Sequence, residues 1–269
     1  MASFWEFEHN GWQRIHSNYA DAWGSLTSQA GAALLDATDV GEGSAVLDVA
    51  CGPGYMTAAA QSRGAQVIGL DFASEMVTQA QALYPNLDVR EGDAEHLPFD
   101  DESFDAVVMS FGMLHLAQPE LAAAEAFRVL REGGAFGFTV WCKPAEAVGF
   151  SFVLDAVAEH GRPVDLPSAP NFFAFSDPHA TAVLLHHAGF TKVESHVVPM
   201  TWKLASPEAV FDAYDQGSAR TGALLRAQDE PTRVLLRAAI TAAASAYRQP
   251  DGSVAIPMPA MMTVGRVPA

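Results

Sequence analysis

A glycine-rich turn after the first strand-like stretch is the first place where this sequence could do chemistry. The run VLDVACGPG, residues 46–54, puts Gly52 and Gly54 in a tight turn with Asp48 just ahead of it. Glycines there let the backbone approach a ligand closely. A dinucleotide site would have a third glycine where this chain has Thr57, and the negative charge of Asp48 would repel a diphosphate. The same charge would attract a ligand carrying an ammonium and a sulfonium, so the turn predicts a cationic ligand.

The next two strand-like stretches also lead to carboxylates. VIGLD ends at Asp71, 23 positions after Asp48, close to the roughly 20-residue spacing of a ribose-binding acid. The two oxygens of Asp71 can accept from both ribose hydroxyls, although a carboxylate here could also cap the next helix. Asp93, in EGDA, can accept hydrogen bonds from a ligand or simply form a turn.

Strand-like and helix-like segments alternate through the first half of the chain, and these elements would position the polar residues. Expected strands are 44–50, 65–71, 87–94, 103–111 and 135–142, with a helix over 120–134 before the last. This alternation predicts a parallel sheet with helices on both faces. AVLDVA and DAVVMSF are apolar on both faces, as buried parallel strands are. We therefore expect an α/β fold with a doubly wound, Rossmann-like, seven-stranded sheet, mostly parallel with an antiparallel last strand.

The second half of the chain breaks this rhythm with two long insertions. Residues 143–176 are rich in Pro, Phe and Ala, and residues 206–248 show helical patterns. The second insertion separates two extended stretches, 192–204 and 253–267, which we expect to pair as an antiparallel hairpin. Hairpins normally close within a few residues, so an insertion of this length needs another purpose.

We expect a single domain over residues 1–269, with a cofactor-binding core at 10–141. The insertions 143–176 and 206–248 are expected to be helical and to form a lid that shapes the pocket of a second substrate. The alternative is a helical layer that adds stability or a dimer interface.

The charge balance limits the partners of the chain. A formal net charge of −17, with only 15 Lys and Arg residues, argues against nucleic acid and anionic membranes. We expect a small-molecule substrate, no membrane association and a cytoplasmic location, because no secretory leader or long apolar run is evident. The oligomeric state stays open, a homodimer being one option. No metal site is expected: His186 and His187 are adjacent on a helix, about 100° apart.

Three stretches resemble the motifs of class I S-adenosylmethionine-dependent methyltransferases, in the right order and spacing. VLDVACGPG resembles the first motif, with Ala50 where the family most often has glycine. VIGLDFASEM resembles the second motif, and EGDAEHLPFDDESFDAVVMSF is similar to the third and fourth. The resemblance covers roughly residues 10–141 and is closest to the bacterial small-molecule methyltransferases of ubiquinone and menaquinone biosynthesis.

The resemblance implies S-adenosyl-L-methionine as the cofactor and assigns its contacts. The methionine part would meet the backbone of Ala50, Gly52 and Gly54, with Asp48 near its amino group, and the ribose would meet Asp71. The remaining implied contacts are Phe72 and Met76 on the adenine face, Asp93 and the Ala94 amide at the adenine edge, and Ser110 and Phe111 beside the sulfonium. Tyr19 and Trp23, one helical turn apart, could close over the methionine part or belong to the core.

Methyl transfer from a sulfonium depends on alignment, and an oxygen or carbon acid also needs a base. His115, just beyond the fourth strand, is the candidate base; it could equally be a packing or helix-capping histidine. The strand ends MSFGM, unlike the signature of enzymes that methylate amino groups of DNA bases, and the aromatic residues of the insertions favour an apolar or aromatic small metabolite. The acceptor atom, O, N or C, stays open.

Two other functions remain open at this stage. A protein of the same fold could bind S-adenosylmethionine yet catalyse a non-methylating rearrangement or cyclisation. A nicotinamide-dependent oxidoreductase is disfavoured by Asp48 and Thr57.

Overall fold

The protein forms two compact units in a computed structural model that describes residues 3–269, apart from the side chains of residues 16–18. The sheet unit comprises Thr27–Trp141, Ala169–Val198 and Ala260–Ala269. The helical unit comprises the described residues up to Leu26, together with Cys142–Ser168 and Pro199–Pro259. Both units are therefore built from separated stretches of chain.

The regular elements alternate through the first half and become mainly helical later. The strands are β1 Ala45–Val49, β2 Gln66–Asp71, β3 Asp88–Glu91, β4 Phe104–Ser110, β5 Leu130–Trp141, β6 Thr191–Val198, β7 Thr201–Leu204, β8 Val254–Pro257 and β9 Ala260–Arg266. The longer helices are α1 Phe4–Tyr19, α2 Gly31–Ala37, α3 Tyr55–Ser62, α4 Ser74–Leu83, α5 Pro119–Val129, α6 Val148–His160, α7 Pro178–Ala188, α8 Ala209–Gly217, α9 Arg220–Arg226 and α10 Glu230–Ser245.

One sheet of seven strands forms the centre of the sheet unit, within the part of the chain that the structure describes. Its strand order is β3-β2-β1-β4-β5-β9-β6. β1 to β5 pair in parallel, and β9 is antiparallel to both β5 and β6. This confirms the predicted fold class. Because parallel strands end at one edge, the residues that follow β1, β2, β3 and β4 meet there.

The boundary between α5 and β5 differs from the predicted one. The helix expected over 120–134 ends at Val129, and Leu130 already pairs with Phe104 of β4. The register then shifts before Ala135 pairs with Ala106, so residues 131–134 form an irregularity in the strand. Gly133 lies there at φ +76°, a conformation that glycine adopts without a steric penalty.

The predicted C-terminal hairpin is divided between two sheets. β6 pairs with β9 in the large sheet, whereas β7 pairs with β8 in a separate two-stranded sheet of the helical unit. Pro199 lies between β6 and β7, and Pro259 lies between β8 and β9. Proline lacks the N–H needed for ladder pairing, which explains why neither extended stretch stays in one sheet.

The helical unit is held together by a cluster of aromatic side chains. The Trp23 ring stacks on Trp202 at 4.4 Å between centroids, and Tyr214 meets both rings edge-on at 5.0 and 5.4 Å. Phe150 completes the cluster, and Trp202 Nε1 donates to the Ala22 carbonyl at 2.9 Å. Insertion 206–248 is helical as predicted, forming α8, α9 and α10.

Within residues 3–269, no helix has the length and apolar character needed to span a membrane.

Candidate active site

The glycine-rich turn after β1 has an unusual backbone. Ala50, Gly52 and Gly54 all have positive φ, at +55°, +52° and +85°. A left-handed alanine is uncommon and costs roughly 1–3 kcal/mol, and such residues concentrate at ligand-binding sites. The amide of Cys51 donates to the Leu70 carbonyl of β2 at 3.0 Å, which fixes the start of the turn against the neighbouring strand.

The two glycines of this turn serve different purposes. A Cβ added to Gly52 would have no atom of the described chain within 4 Å, so the backbone here borders open space. A Cβ added to Gly54 would lie 3.3 Å from the Ala80 Cβ and 3.4 Å from the Tyr84 ring. The backbone at Gly52 therefore has room beside it, and its contact with the methionine part stays a prediction, whereas Gly54 permits close packing of the turn on α4.

Asp71 ties the turn to the end of β2. Its Oδ2 accepts from the Gly52 amide at 2.8 Å, and its Oδ1 accepts from the Ala73 amide at 2.9 Å. The residue is 5% exposed. Each carboxylate oxygen retains acceptor capacity beyond these bonds, so the ribose role stays a prediction.

Asp48 is fully buried beneath the turn. Its Oδ2 accepts from the Thr57 hydroxyl at 2.6 Å, while Oδ1 is buried without a hydrogen-bond partner among the described residues. Burial raises the pKa of Asp48 to about 7, with a smaller contribution from the charge of Asp71. Asp48 has no exposed surface in the structure, and its place near the ligand's amino group stays a prediction.

The end of β4 packs directly on the turn. Phe111 has φ +59°, and its amide donates to the carbonyl and hydroxyl oxygens of Thr139 at 3.1 and 3.2 Å. A Cβ added to Gly112 would lie only 2.8 Å from the Ala50 Cβ. The structure thus brings the predicted site residues Ala50 and Phe111 together, both in strained conformations. Ser110, the other residue predicted here, is partly exposed at the end of β4.

The predicted adenine contacts lie along the same edge but differ in exposure. Phe72 and Asp93 are partly exposed, whereas Met76 and Ala94 are 2% and 8% exposed. Asp93 Oδ1 accepts from the Glu95 amide at 2.9 Å, which is the turn-forming arrangement considered above. The adenine assignments stay predictions, with Met76 packed into the core.

Comparison with known proteins bears on the identity of this site. A family model described as "Methyltransferase domain" matches residues 47–138. The demethylmenaquinone methyltransferase of Beutenbergia cavernae is 34% identical over 172 residues, which is 60% of this chain and 71% of that enzyme. The chain belongs to the class I S-adenosylmethionine-dependent methyltransferases of the menaquinone and ubiquinone type.

Other relatives of this methyltransferase match over a shorter range or in fold alone. The demethylmenaquinone methyltransferase of Renibacterium salmoninarum is 41% identical over 101 residues, 38% of this chain and 43% of that enzyme, so the chain spans less than half of its length. A solved phosphoethanolamine N-methyltransferase 2 of Haemonchus contortus has a TM-score of 0.61 at 15% identity, covering all of this chain and 61% of that one. The cyclase SpnF has a TM-score of 0.53 at 19% identity, covering 90% and 82%. At these identities the likeness shows the fold only.

The site of this methyltransferase fits its cofactor, S-adenosyl-L-methionine. The open space beside Gly52 at φ +52° is compatible with close approach of the methionine part. Acceptor groups follow at Asp71, which ends β2, and at Asp93, two residues after β3, in the order that the family motifs imply. Membership of the methyltransferase family rules out the alternative of a nicotinamide-dependent oxidoreductase.

His115 is the fifth residue after the end of β4 and the last residue of a short 3₁₀ helix, Met113–His115. It is partly buried, and its ring meets Phe172 edge-on at 6.0 Å between centroids. Both residues belong to the sheet unit. The structure therefore places the candidate base after β4, as expected, and adds an aromatic neighbour that sequence spacing did not reveal.

Tyr19 and Trp23 belong to the helical unit of the methyltransferase. Trp23 is 4% exposed within the aromatic cluster, which favours the core alternative, and Tyr19 meets Trp12 edge-on at 5.5 Å. Their contact with the methionine part stays a prediction.

The sequence did not predict the contacts that three residues make around the turn. Thr57 bonds Asp48, Thr139 bonds Phe111, and Gly69 leaves room for both Thr57 and Cys51, since its added Cβ would lie 2.9 Å from the Thr57 hydroxyl. The close packing at Gly69 could have been predicted from the sequence, because a glycine inside a strand often marks close approach of another group.

Proposed function

We propose that this methyltransferase transfers a methyl group to an oxygen, nitrogen or carbon atom of a small apolar or aromatic metabolite. The pairing of His115 with Phe172 carries the proposal for the acceptor. Phe173 extends the same apolar neighbourhood, with its ring 5.1 Å from Phe172, and both rings are partly exposed. A titratable ring beside exposed apolar rings suits an acceptor that loses a proton in an apolar setting.

The aromatic residues of the insertions support this acceptor class less than their number suggested. Trp202, Phe211 and Tyr214 are at most 1% exposed and form the core of the helical unit. They stabilise that unit, so Phe172 and Phe173 are the residues that support an apolar acceptor.

The chain's own residues divide the work of the reaction. When bound, the cofactor supplies an electrophilic methyl group on a sulfonium. The backbone at Ala50 and Gly52 would hold the methionine part, and Asp71 would hold the ribose. Because in-line transfer depends on alignment, these contacts contribute by fixing the donor before the acceptor reacts. His115 would take the proton of an oxygen or carbon acceptor as the new bond forms.

The buried rings at the end of β4 exclude water from the same edge. Phe111 and Trp141 are 6% and 5% exposed, with centroids 4.2 Å apart. Apolar walls of this kind would strengthen electrostatic contacts to a cationic donor and limit its hydrolysis. We further propose that the helical unit carries determinants of acceptor choice, as the predicted lid did, and that the enzyme acts in the cytoplasm on a free metabolite rather than on nucleic acid.

Acceptor screening tests the proposal directly. The purified protein is incubated with S-adenosylmethionine and a panel of apolar and aromatic metabolites, and both adenosylhomocysteine and methylated product are quantified. His115→Ala should lower kcat on the active acceptor by about 10²–10⁴-fold without changing cofactor affinity. His186→Ala, on the exposed face of α7, is the matched control and should leave kcat unchanged.

Two results would contradict parts of this proposal. Full turnover by His115→Ala would remove the base assignment. Product formation without adenosylhomocysteine would indicate the non-methylating use of the cofactor that the sequence left open.

A further inference from the structure

Arg226, the last residue of α9, has an unusual environment in the helical unit. It is only partly exposed, and its Nη2 is buried with no hydrogen-bond partner among the described residues. The other arginines of these helices are engaged: Arg237 pairs with Asp212 at 2.8 Å, and Arg220 donates to the Pro167 carbonyl at 3.0 Å. A buried guanidinium nitrogen without a hydrogen-bond partner destabilises a fold, so the presence of Arg226 at this position indicates a role other than stability.

The surroundings of Arg226 do not neutralise its charge. Asp215 is the nearby carboxylate, but its two oxygens accept from Nη1 and Nη2 of Arg233 at 3.2 and 3.3 Å. Arg233 also donates to the carbonyl of Leu225, directly beside Arg226, at 2.9 Å. Arg14 on α1 adds a third positive charge. Arg233 also lies 4.0 Å from Glu230, so both carboxylates pair with Arg233 rather than with Arg226.

The backbone holds the Arg226 guanidinium close to this group. A Cβ added to Gly222 would lie 2.6 Å from Arg226 Nη1 and 2.7 Å from the Asp215 carbonyl oxygen. Glycine at this position thus leaves the room that the guanidinium occupies. Burial, then the charge of Arg14, lowers the pKa of Arg226.

An arginine without an ion pair among the described residues stands out in a chain with a net charge of −17 and 15 basic residues. Stability alone does not account for it, because replacing a poorly paired buried charge with an apolar side chain of similar volume is often neutral or stabilising. Planar, doubly donating guanidinium groups match the oxygens of carboxylates and phosphates. We propose that Arg226, beside the Asp215-anchored Arg233, forms a binding site for a carboxylate or phosphate group in the helical unit.

The residues of this site differ from those proposed to act on the methyl acceptor. A carboxylate or phosphate could belong to the methyl acceptor itself or to a separate metabolite that binds the helical unit. Direct binding measures the site whichever source applies, and turnover kinetics separate the two sources.

The test uses the full-length protein with sodium benzoate and with inorganic phosphate as probes, against sodium chloride at equal ionic strength. Isothermal titration and thermal unfolding should show saturable binding of at least one probe to the wild type. Arg226→Met should weaken that binding by about ten- to hundredfold, because a charge-assisted hydrogen bond is lost. Arg226→Lys, which keeps the charge without the planar fork, should bind with intermediate affinity.

Arg248→Met is the matched control, since Arg248 lies in the same unit and forms an exposed ion pair with Glu208 at 3.9 Å. It should bind the probe as the wild type does. Equal binding by Arg226→Met and wild type, or no saturable binding of either probe to the wild type, would overturn the proposal.

Kinetics then assign the source of the anionic group. If the group belongs to the acceptor, the bound probe competes with the acceptor, and Arg226→Met raises the acceptor KM with little change in kcat. If the group belongs to a separate metabolite, the probe binds with the same dependence on Arg226 but does not compete. Either result supports the site, because both require the direct binding described above.

Discussion

Two glycines two positions apart in the turn after β1 have opposite surroundings. Gly52 borders open space, whereas Gly54 is buried and faces the side chains of α4. A side chain at Gly54 would point into the packed interior, so Gly54→Arg would disturb folding and cannot test cofactor binding by itself.

Gly52→Arg is therefore the substitution that should separate binding from folding. It should remain folded, losing roughly 1–3 kcal/mol to backbone strain at positive φ. Affinity for S-adenosylmethionine should fall by at least about a hundredfold, since the side chain would fill the ligand's space. Calorimetry and circular dichroism check this, with Gly54→Arg expected to be misfolded or strongly destabilised. Wild-type affinity in Gly52→Arg would contradict the cofactor position.

The buried carboxyl of Asp48 predicts a pH dependence of stability. Its pKa is raised from 3.8 to about 7 in the folded protein, so the folded state holds a proton that the unfolded state releases between these values. The contribution of Asp48 to stability is therefore fully present below about pH 4 and is lost as pH rises to about 7.

Asp48→Asn should remove this dependence while retaining an acceptor for Thr57. Relative to the wild type, the free energy of unfolding of Asp48→Asn should increase from pH 5 to pH 8, measured by urea unfolding. Asp36→Asn, an exposed partner of Arg63, serves as the control and should follow the wild type. Parallel pH profiles for wild type and Asp48→Asn would contradict the raised pKa.

At the scale of elements, the carboxylate of Asp71 joins the glycine-rich turn to the loop after β2. The sequence suggested ribose binding or helix capping, and the structure adds this link between two loops. Loss of Asp71 would therefore loosen the link between the two loops as well as remove the proposed ribose contact.

Asp71→Ala should lower both affinity and stability. We expect affinity for S-adenosylmethionine and adenosylhomocysteine to fall alike, by about 1.5–4 kcal/mol, because both contain the ribose. The free energy of unfolding should fall by about 1–3 kcal/mol, because two amides lose their acceptor. Calorimetry and urea unfolding measure these changes. Unchanged stability would show that the amides find other partners, and unchanged affinity would contradict the ribose role.

The elements of the sheet were largely predictable, but their side-chain directions were not. β1, β2 and β4 are apolar runs that end in turn residues, so their order and approximate bounds follow from the sequence. A strand that is apolar on both faces has no alternation to show which way Asp48 points. The two extended C-terminal stretches are divided between two sheets because β6 pairs with β9 and β7 pairs with β8. This pairing is a property of the assembled sheets and does not follow from either stretch alone.

At the scale of the whole molecule, the helical unit has its own core. Replacing residues 206–248 with a short linker would remove Phe211, Tyr214 and the other core residues of α8 to α10. Trp202 would lose its covering, so such a deletion cannot test acceptor binding separately from folding. A single substitution in the aromatic cluster gives a cleaner test of how independent the unit is.

Trp202→Ala should destabilise the helical unit by about 3–5 kcal/mol, because its side chain is fully buried. The sheet unit, which contains the glycine-rich turn and Asp71, should bind S-adenosylmethionine within about tenfold of the wild type. Thermal unfolding followed by two probes, with calorimetry at low temperature, distinguishes these effects. Trp5→Ala, a change at a 37% exposed tryptophan, is the control. A much larger loss of affinity in Trp202→Ala would show that cofactor binding depends on the helical unit.

The position of β9 has a consequence for the time course of synthesis. β5 and β6 are complete before β9 exists, yet β9 pairs with both and separates them in the finished sheet. Residues 199–266 must be added in between, which takes roughly 3–14 s at about 5–20 residues per second. Throughout that interval the edges of β5 and β6 that β9 will cover are unpaired on the nascent chain, and unpaired edges can join other chains. Slow translation of this segment should therefore lower the yield of native protein more than slow translation before β5.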